Sequence, residues 1–461
     1  MNQSKSYQRP GLILLVTTVT SFMTAFMGSS LNIALPVIGS EFSSSAKILS
    51  WISTVYFLIT AVLLIPVGKL SDTKGRMNFF SYGLIVFTGS TFLCGISGST
   101  AIIILFRALQ GVGSSFIFAT GTALIVTAYP ANQRGRVLGI NTASVYTGLS
   151  SGPFLGGFIT QYLGWRGIFF TSAIIGLVII LIVSFMLKGI EEQSTSEKYD
   201  IMGSIVYSLS IVSAMIGISM LPGITGIILT ITGTILLIVF FNIEKKIINP
   251  LFDVRIFKSN RTFTYSNLSA LINYCATFAI SFLISFYLQI VKGLKPREAG
   301  IILITQPVLQ AVFSPYAGKL SDRFEPQLVS STGMAFLTIG LVIFCFLTPG
   351  TGYGLIIGNL AFLGLGFALF SSPNVNAIMS SVDRHYYGVA SSTLASMRVI
   401  GQTLSMGIVI MIFTFYLGER ELSPLNSAEF MESARTLFIL FSILSVAGIF
   451  ASLARGNIHS K

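Results

Sequence analysis

Runs of about twenty apolar residues, long enough to cross a hydrocarbon core of about 30 Å, recur from Gly11 almost to the C-terminus of this 461-residue chain. Read as transmembrane helices, they give fourteen spans near 11–38, 48–67, 77–96, 101–127, 137–162, 167–187, 201–220, 224–242, 263–290, 299–317, 327–348, 353–378, 389–416 and 435–454. Charge agrees: 10% of the residues are charged and mean hydropathy is +0.82, against roughly 25% charged residues in a soluble domain. The expected fold class is an all-α polytopic membrane protein.

The first span is too long for a signal-peptide core and no small-residue cleavage site follows it, so it is read as retained. Cys94, Cys275 and Cys345 all fall inside spans, and an odd number argues against a disulfide framework. The net charge of +12 does not point to nucleic acid, because no loop is long enough to carry a soluble domain. Most Lys and Arg gather in alternate loops, on the side that holds Lys5, Lys69, Lys74, Arg76, Arg134 and Lys245. The positive-inside rule makes that side cytoplasmic. A multi-pass plasma-membrane protein with both termini in the cytoplasm is expected.

The phrase Gly68-Lys69-Leu70-Ser71-Asp72 returns 250 positions later as Gly318-Lys319-Leu320-Ser321-Asp322. Gly111-Val112-Gly113 matches Gly364-Leu365-Gly366, Gly135 matches Gly388, and Ala143-Ser144 matches Ala395-Ser396, all at offsets of 252 or 253. Ordered matches at one offset imply two homologous halves. The expected organisation is a six-helix half over 1–190, two inserted helices with linkers over 191–262, and a second six-helix half over 263–461. Parallel repeats around a central cavity are a transporter architecture that works by rocking.

"GKLSDTKGR", with Gly68, Leu70, Ser71, Asp72, Gly75 and Arg76, resembles the loop signature of the major facilitator superfamily, with Thr73 where a base is usual. Arg107 to Ser115, with Gln110, Gly111 and Gly113, resembles its fourth-span signature. Gly148 to Gly157 resembles the antiporter signature of the fifth span, and Pro250 to Phe263 the stretch before the ninth span of the fourteen-span drug:proton antiporters. The resemblance implies the major facilitator fold and secondary active export of lipophilic drugs or related small molecules by alternating access. It implies a gating role for the loop residues, including Lys69 and, in the weaker second copy, Asp322 and Arg323.

Physical chemistry gives these residues roles of their own. Asp72 with Lys69 and Arg76 can act on nearby helix dipoles as a releasable latch, or simply form a topogenic basic loop. Gly148, Gly152 and Gly156 share one helix face and permit close helix approach; Pro153 removes a backbone donor and bends the helix. With Gly157, the resemblance makes them a hinge or leak-preventing contact between halves. Arg107 costs about 2.5–3.5 kcal/mol at mid-membrane and is expected to face a cavity or a partner, unless it snorkels. Arg398 is a second intramembrane base. Asn32, Asn141, Tyr146, Asn273, Gln306, Gln310, Asn359 and Arg398 are candidate cavity residues, as are Tyr56, Asn374 and Gln402; interhelical hydrogen bonding is the competing reading for each.

No Asp or Glu falls inside a span, and the acid that drug antiporters carry in the first span aligns with Met27, as judged from Asn32 to Pro36. Proton coupling then rests on Glu41, Glu298 or Asp72, on the substrate itself, or is absent. The expected partners are a small-molecule substrate, membrane lipid and protons as a candidate coupling ion, with no cofactor, metal or nucleic acid, in a monomer. Enzymatic function is not expected, since an intramembrane hydrolase needs acids, bases or metal ligands in the spans and His385 and His459 lie outside them; the lack of a P-loop excludes a primary pump on one chain. The alternatives are a facilitator or exporter of a neutral or anionic metabolite without proton antiport, and a non-transporting membrane sensor.

Overall fold

The structure, a computed structural model, describes residues 9–187, 199–247, 250–251, 254–383, 386–418, 420 and 424–456. The described residues form long helices: α1 (Pro10–Phe42), α2 (Ala46–Lys74), α3 (Arg76–Gly95), α4 (Thr100–Ala128), α5 (Ala131–Leu163), α6 (Arg166–Met186), α7 (Ile201–Ser219) and α8 (Ile224–Glu244). A short α9 (Val254–Ser259) precedes α10 (Arg261–Thr277) and α11 (Ala279–Phe286), which a π-helical turn, Tyr287–Val291, extends into one span. Next come α12 (Pro296–Leu303) and α13 (Thr305–Arg323), a second broken span, then α14 (Pro326–Phe344), α15 (Tyr353–Ser380), α16 (Tyr387–Tyr416) and α17 (Ser427–Leu453). Among the described residues, thirteen spans are long and apolar enough to cross a membrane. The 33-residue α5, whose polar first turns carry Arg134 and Arg136, is the fourteenth long helix.

Local chemistry sets the helix ends. Ser45, Ser99, Asp200 and Asn260 cap α2, α4, α7 and α10 with side-chain oxygens, satisfying amides that a helix start leaves unbonded. The α2–α3 turn needs Gly75, whose φ of +99° is rarely adopted by residues with a side chain. Buried hydroxyls bond to their own helix: Thr17 and Thr54 donate to the carbonyls of Ile13 and Ser50 at 2.7 and 2.8 Å, leaving no donor to face lipid.

Equivalent helices pack in equivalent ways. α1 lies on α5 as α10 lies on α16; α3 packs on α4 and α6 as α14 packs on α15 and α17. The repeat extends to glycines. A Cβ on Gly83 or Gly113 would meet the other's carbonyl oxygen at 3.0 or 2.7 Å, and Gly333 and Gly366 face each other likewise at 2.8 and 3.0 Å. α7 and α8 pair with one another, and α7 touches both α2 and α16. Its Tyr207 hydroxyl donates to the Ala61 carbonyl at 3.0 Å.

Four acids, Glu41, Asp72, Glu244 and Asp322, lie in final helical turns, further into the helices than the apolar runs indicate. Glu41 lies within α1, and Glu244 closes α8 with 1% of its surface exposed. Glu41 accepts from Trp165 Nε1 at 2.7 Å and pairs with Arg166 at 2.8 Å, which ties the end of α1 to the start of α6. Met27 is fully buried among apolar side chains.

The first six helices meet the last six spans most tightly where α5 crosses α12. A Cβ on Gly157 would stand 2.6 Å from the Pro296 carbonyl oxygen, and one on Gly300 2.7 Å from that of Pro153. Ser285 and Gln289 donate to the carbonyls of Asn32 and Ile33 at 3.0 Å each, and Arg297 donates to the Tyr162 hydroxyl at 3.0 Å. Neither backbone at the α5–α12 crossing can yield alone, and overpacking costs about 1–3 kcal/mol. Gly157→Val and Gly300→Val are each expected to lower the thermal unfolding midpoint of the detergent-solubilised protein. Gly139→Val, on the same helix with open space around it, leaves the midpoint unchanged.

Candidate functional site

Side chains from both helix groups line a narrow, partly open cavity between them. α1 contributes Thr24 and Ala25, α2 Tyr56, Phe57 and Thr60, α4 Phe118, and α5 Val145 and Leu149; from the other group, α16 contributes Arg398, Val399 and Gln402. Tyr56 is fixed by its hydroxyl, which donates to the Thr24 carbonyl at 2.8 Å and lies 2.9 Å from Ser114 Oγ. Phe57 meets Phe278 edge to face across the two groups, with ring centroids 4.9 Å apart. Another small space lies among α11, α14 and α17 within the last six spans and is lined mainly by apolar side chains.

Arg398 supplies the charge on the cavity wall. It is 7% exposed and its guanidinium stands 5.7 Å from the Phe118 ring centroid. No carboxylate lines the cavity. A cation over an aromatic face gains about 0.5–2 kcal/mol and keeps its hydrogen-bonding capacity for a ligand.

Arg107 has a different position. It is fully buried behind Tyr56, with its guanidinium carbon 4.2 Å from that ring's centroid, and it is absent from the cavity wall. Its Nε donates to the Ile52 carbonyl at 3.1 Å and Nη1 to Gln110 Oε1, while Gln110 Nε2 donates to Thr91 at 2.6 Å. The fourth-span residues thus form a charged brace joining α2, α3 and α4. Gly111 and Gly113 let the backbones close around it, since a Cβ would stand 2.8 Å from the Tyr56 carbonyl oxygen or 2.7 Å from that of Gly83.

The fifth-span glycines serve two interfaces. Gly148, Gly152 and Gly156 lie on α1, within the first six helices; Gly157 and Pro153 make the crossing to α12. At the α2–α3 turn, Asp72 accepts from Arg76 Nε at 2.7 Å, with Gly68, Lys69 and the exposed Lys74 close by in the chain. Arg323 is exposed at the end of α13, while the Asp322 side chain, His385 and His459 lie outside the described residues.

Among the cavity candidates, Arg398, Tyr56 and Gln402 are on the wall. Tyr146 is adjacent, its hydroxyl 2.7 Å from that of Tyr274. Others hold helices together: Asn359 donates to the Gly340 carbonyl at 2.9 Å, Gln310 to Ser371 at 3.4 Å, and Asn32 accepts from Ser53 at 3.3 Å. The Gln306 carbonyl packs against Gly364. Asn141, Asn273 and Asn374 are buried with amide oxygens that find no hydrogen-bond partner. Sequence reasoning missed Thr24, Thr60, Phe57 and Phe118, because nothing in the order of residues separates them from the many Thr and Phe of the other spans.

The two arginines therefore differ in what their loss does. Charged hydrogen bonds contribute about 1.5–3 kcal/mol each. Arg107→Leu, which strands Gln110 and the Ile52 carbonyl, is expected to reduce the yield of monodisperse protein and lower its unfolding midpoint by several degrees. Arg398→Gln is expected to leave both near wild type, because no protein hydrogen bond depends on it. Size-exclusion profiles and thermal melts of the two variants check this.

The chain resembles known membrane carriers along most of its length. It is 33% identical over 389 residues to the riboflavin transporter RibZ of Clostridioides difficile, covering 84% of each chain. It is 26% identical over 405 residues to the multidrug resistance protein Stp of Mycobacterium tuberculosis, covering 86% of this chain and 75% of that one. The fold superposes with a TM-score of 0.70 and 18% identity on a bacterial homolog of the human lysosomal transporter Spinster, solved inward-facing and unoccupied, over 98% of both chains. With residues 17–406 matching that family, this chain belongs to the Major Facilitator Superfamily.

Proposed function

We propose that this transporter carries flat aromatic molecules that are neutral or anionic and bear polar edges, by alternating access around the Arg398 cavity, with riboflavin the first substrate to test. The observation that carries this reading is a cavity whose one charged side chain is an arginine and whose other polar groups, Thr24, Tyr56, Thr60 and Gln402, are uncharged. Even at an effective dielectric of about 20, two like charges 4 Å apart repel by about 4 kcal/mol, so a permanent organic cation is disfavoured. Riboflavin is uncharged at neutral pH; its fused rings suit Tyr56, Phe57 and Phe118, and its imide and hydroxyls suit the polar groups. The similarity to a riboflavin transporter supports the same choice. Export of lipophilic drugs is the second reading, supported by the similarity to a multidrug resistance protein.

On this reading the six-helix units 1–190 and 263–461 rock about the cavity, with 191–262 inserted between them, in a monomer at the plasma membrane with cytoplasmic termini. Asp72, paired with Arg76 at the α2–α3 turn, closes the terminus-bearing side. No carboxylate stands on the cavity wall and Glu41 is engaged by Arg166, so the substrate gradient rather than proton antiport drives transport.

Counterflow of labelled riboflavin in proteoliposomes tests this. The expected result is exchange at least tenfold above empty liposomes, insensitive to a protonophore and inhibited weakly or not at all by ethidium. Arg398→Gln cuts flavin exchange severely. Asp72→Asn keeps flavin binding but lowers turnover about tenfold, a loss of about 1.4 kcal/mol in transition-state stabilisation. Ethidium efflux driven by the proton gradient, with no flavin exchange, would replace this reading with the second.

A further inference from the structure

At mid-height of the molecule the hydroxyls of Tyr146 on α5 and Tyr274 on α10 lie 2.7 Å apart. One belongs to the first six helices and the other to the last six spans. The bonds from Ser285, Gln289 and Arg297 lie toward the far ends of α1 and α5, whereas Tyr146 lies near the centre of its helix. Neither tyrosine is on the cavity wall itself, but both lie close to residues that are. Tyr146 stands between the wall residues Val145 and Leu149 in sequence, and the Tyr274 Cβ packs against Gly401, whose neighbour Gln402 is on the wall.

We infer that the Tyr146–Tyr274 hydrogen bond is a substrate-displaced latch: a substrate edge offering both a donor and an acceptor takes its place, freeing α5 from α10. The surroundings supply the reason. Tyr146 and Tyr274 pack with Phe263, Ala270, Ile378 and Leu394, an apolar setting in which an unpaired hydroxyl is costly. With the cavity empty, each phenol satisfies the other and the groups stay joined. An apolar guest cannot replace that bond, because parting the hydroxyls would leave both unpaired; a guest with a donor beside an acceptor, as in an imide or a vicinal diol, satisfies both. The latch thus reads the substrate's hydrogen-bonding edge and restrains movement of the empty carrier. It rests on the proposed function for the class of substrate, though not for the bond itself.

The experiment follows the rate at which a small anionic, membrane-impermeant thiosulfonate modifies Val145→Cys, a cavity position, in a Cys94→Ser, Cys275→Ser, Cys345→Ser background. Tyr146→Phe and Tyr274→Phe, which keep the rings and remove the bond, are each expected to raise the rate without substrate at least fivefold. The double variant should match the singles, since all three remove the same bond. Riboflavin should raise the rate in the tyrosine parent and not in the Phe variants, and the Phe variants should raise KM for flavin counterflow more than they change kcat. Equal rates without substrate in parent and Phe variants that elute as monodisperse protein would overturn the latch. Flavin exchange that proceeds in the parent with no change in labelling would overturn displacement by substrate. If the parent neither binds nor exchanges riboflavin, the proposed substrate fails, and the rates without substrate still decide whether the bond restrains the carrier.

Discussion

Close backbone contact along α5 is the constraint on which the arrangement of the other helices depends. One face of this helix seats Gly148, Gly152 and Gly156 on α1, and the adjacent Pro153–Gly157 segment meets Pro296 and Gly300 of α12. Lipid provides little hydrophobic drive for helices to associate, so close van der Waals contact must do so, and it is available where side chains are smallest. Because the two glycine sets lie on one helix, a shift of α5 against α1 bears on the crossing to α12. The cavity residues Val145 and Leu149, and the Tyr146 hydroxyl beside them, therefore take their positions from packing made along the same element.

A second constraint is that burying a polar or charged group without a partner is costly. It accounts for the contrast between the two intramembrane arginines. Arg107 is enclosed by an aromatic ring, a backbone carbonyl and Gln110, so its charge is spent on bracing three helices. Arg398 has an aromatic neighbour and an open side toward the cavity. Sequence position could not separate them, because both are single bases in apolar runs; what differs is the set of helices that the fold places beside each.

That difference marks how far the sequence could be read. Span number and the repeat were legible because apolar length and a fixed offset are properties of the chain itself, and the reciprocal pairs Gly83–Gly113 and Gly333–Gly366 show the repeat carried through to backbone contacts. The ends of α1 and α8 ran past the apolar runs to include Glu41 and Glu244, since a helix continues as long as its hydrogen bonds can be made, whatever the hydropathy of its last turn. The cavity was only partly legible. Tyr56, Arg398 and Gln402 stood out as polar residues in apolar helices, but Thr24 and Thr60 share their hydroxyl with dozens of residues that merely bond back to their own helix, and Asn359 has the polarity of a wall residue yet serves the α14–α15 contact.

The inserted hairpin adds a constraint that the repeat alone does not contain. α7 bonds to α2 through Tyr207 and packs on α16 through Met215, whose sulfur would lie 2.7 Å from a Cβ on Gly407. It therefore bridges the first six helices and the last six spans on the flank where α2 and α16 meet, while α5 and α12 join them elsewhere. Movement of one group against the other must either carry α7 with one partner and slide it over the other, or bend it. At α2 the Tyr207 and Ser208 hydroxyls donate to the carbonyls of Ala61 and Val62 at 3.0 and 3.5 Å, whereas the contact of Met215 with Gly407 of α16 is van der Waals packing, so the α2 contact is the more directional of the two.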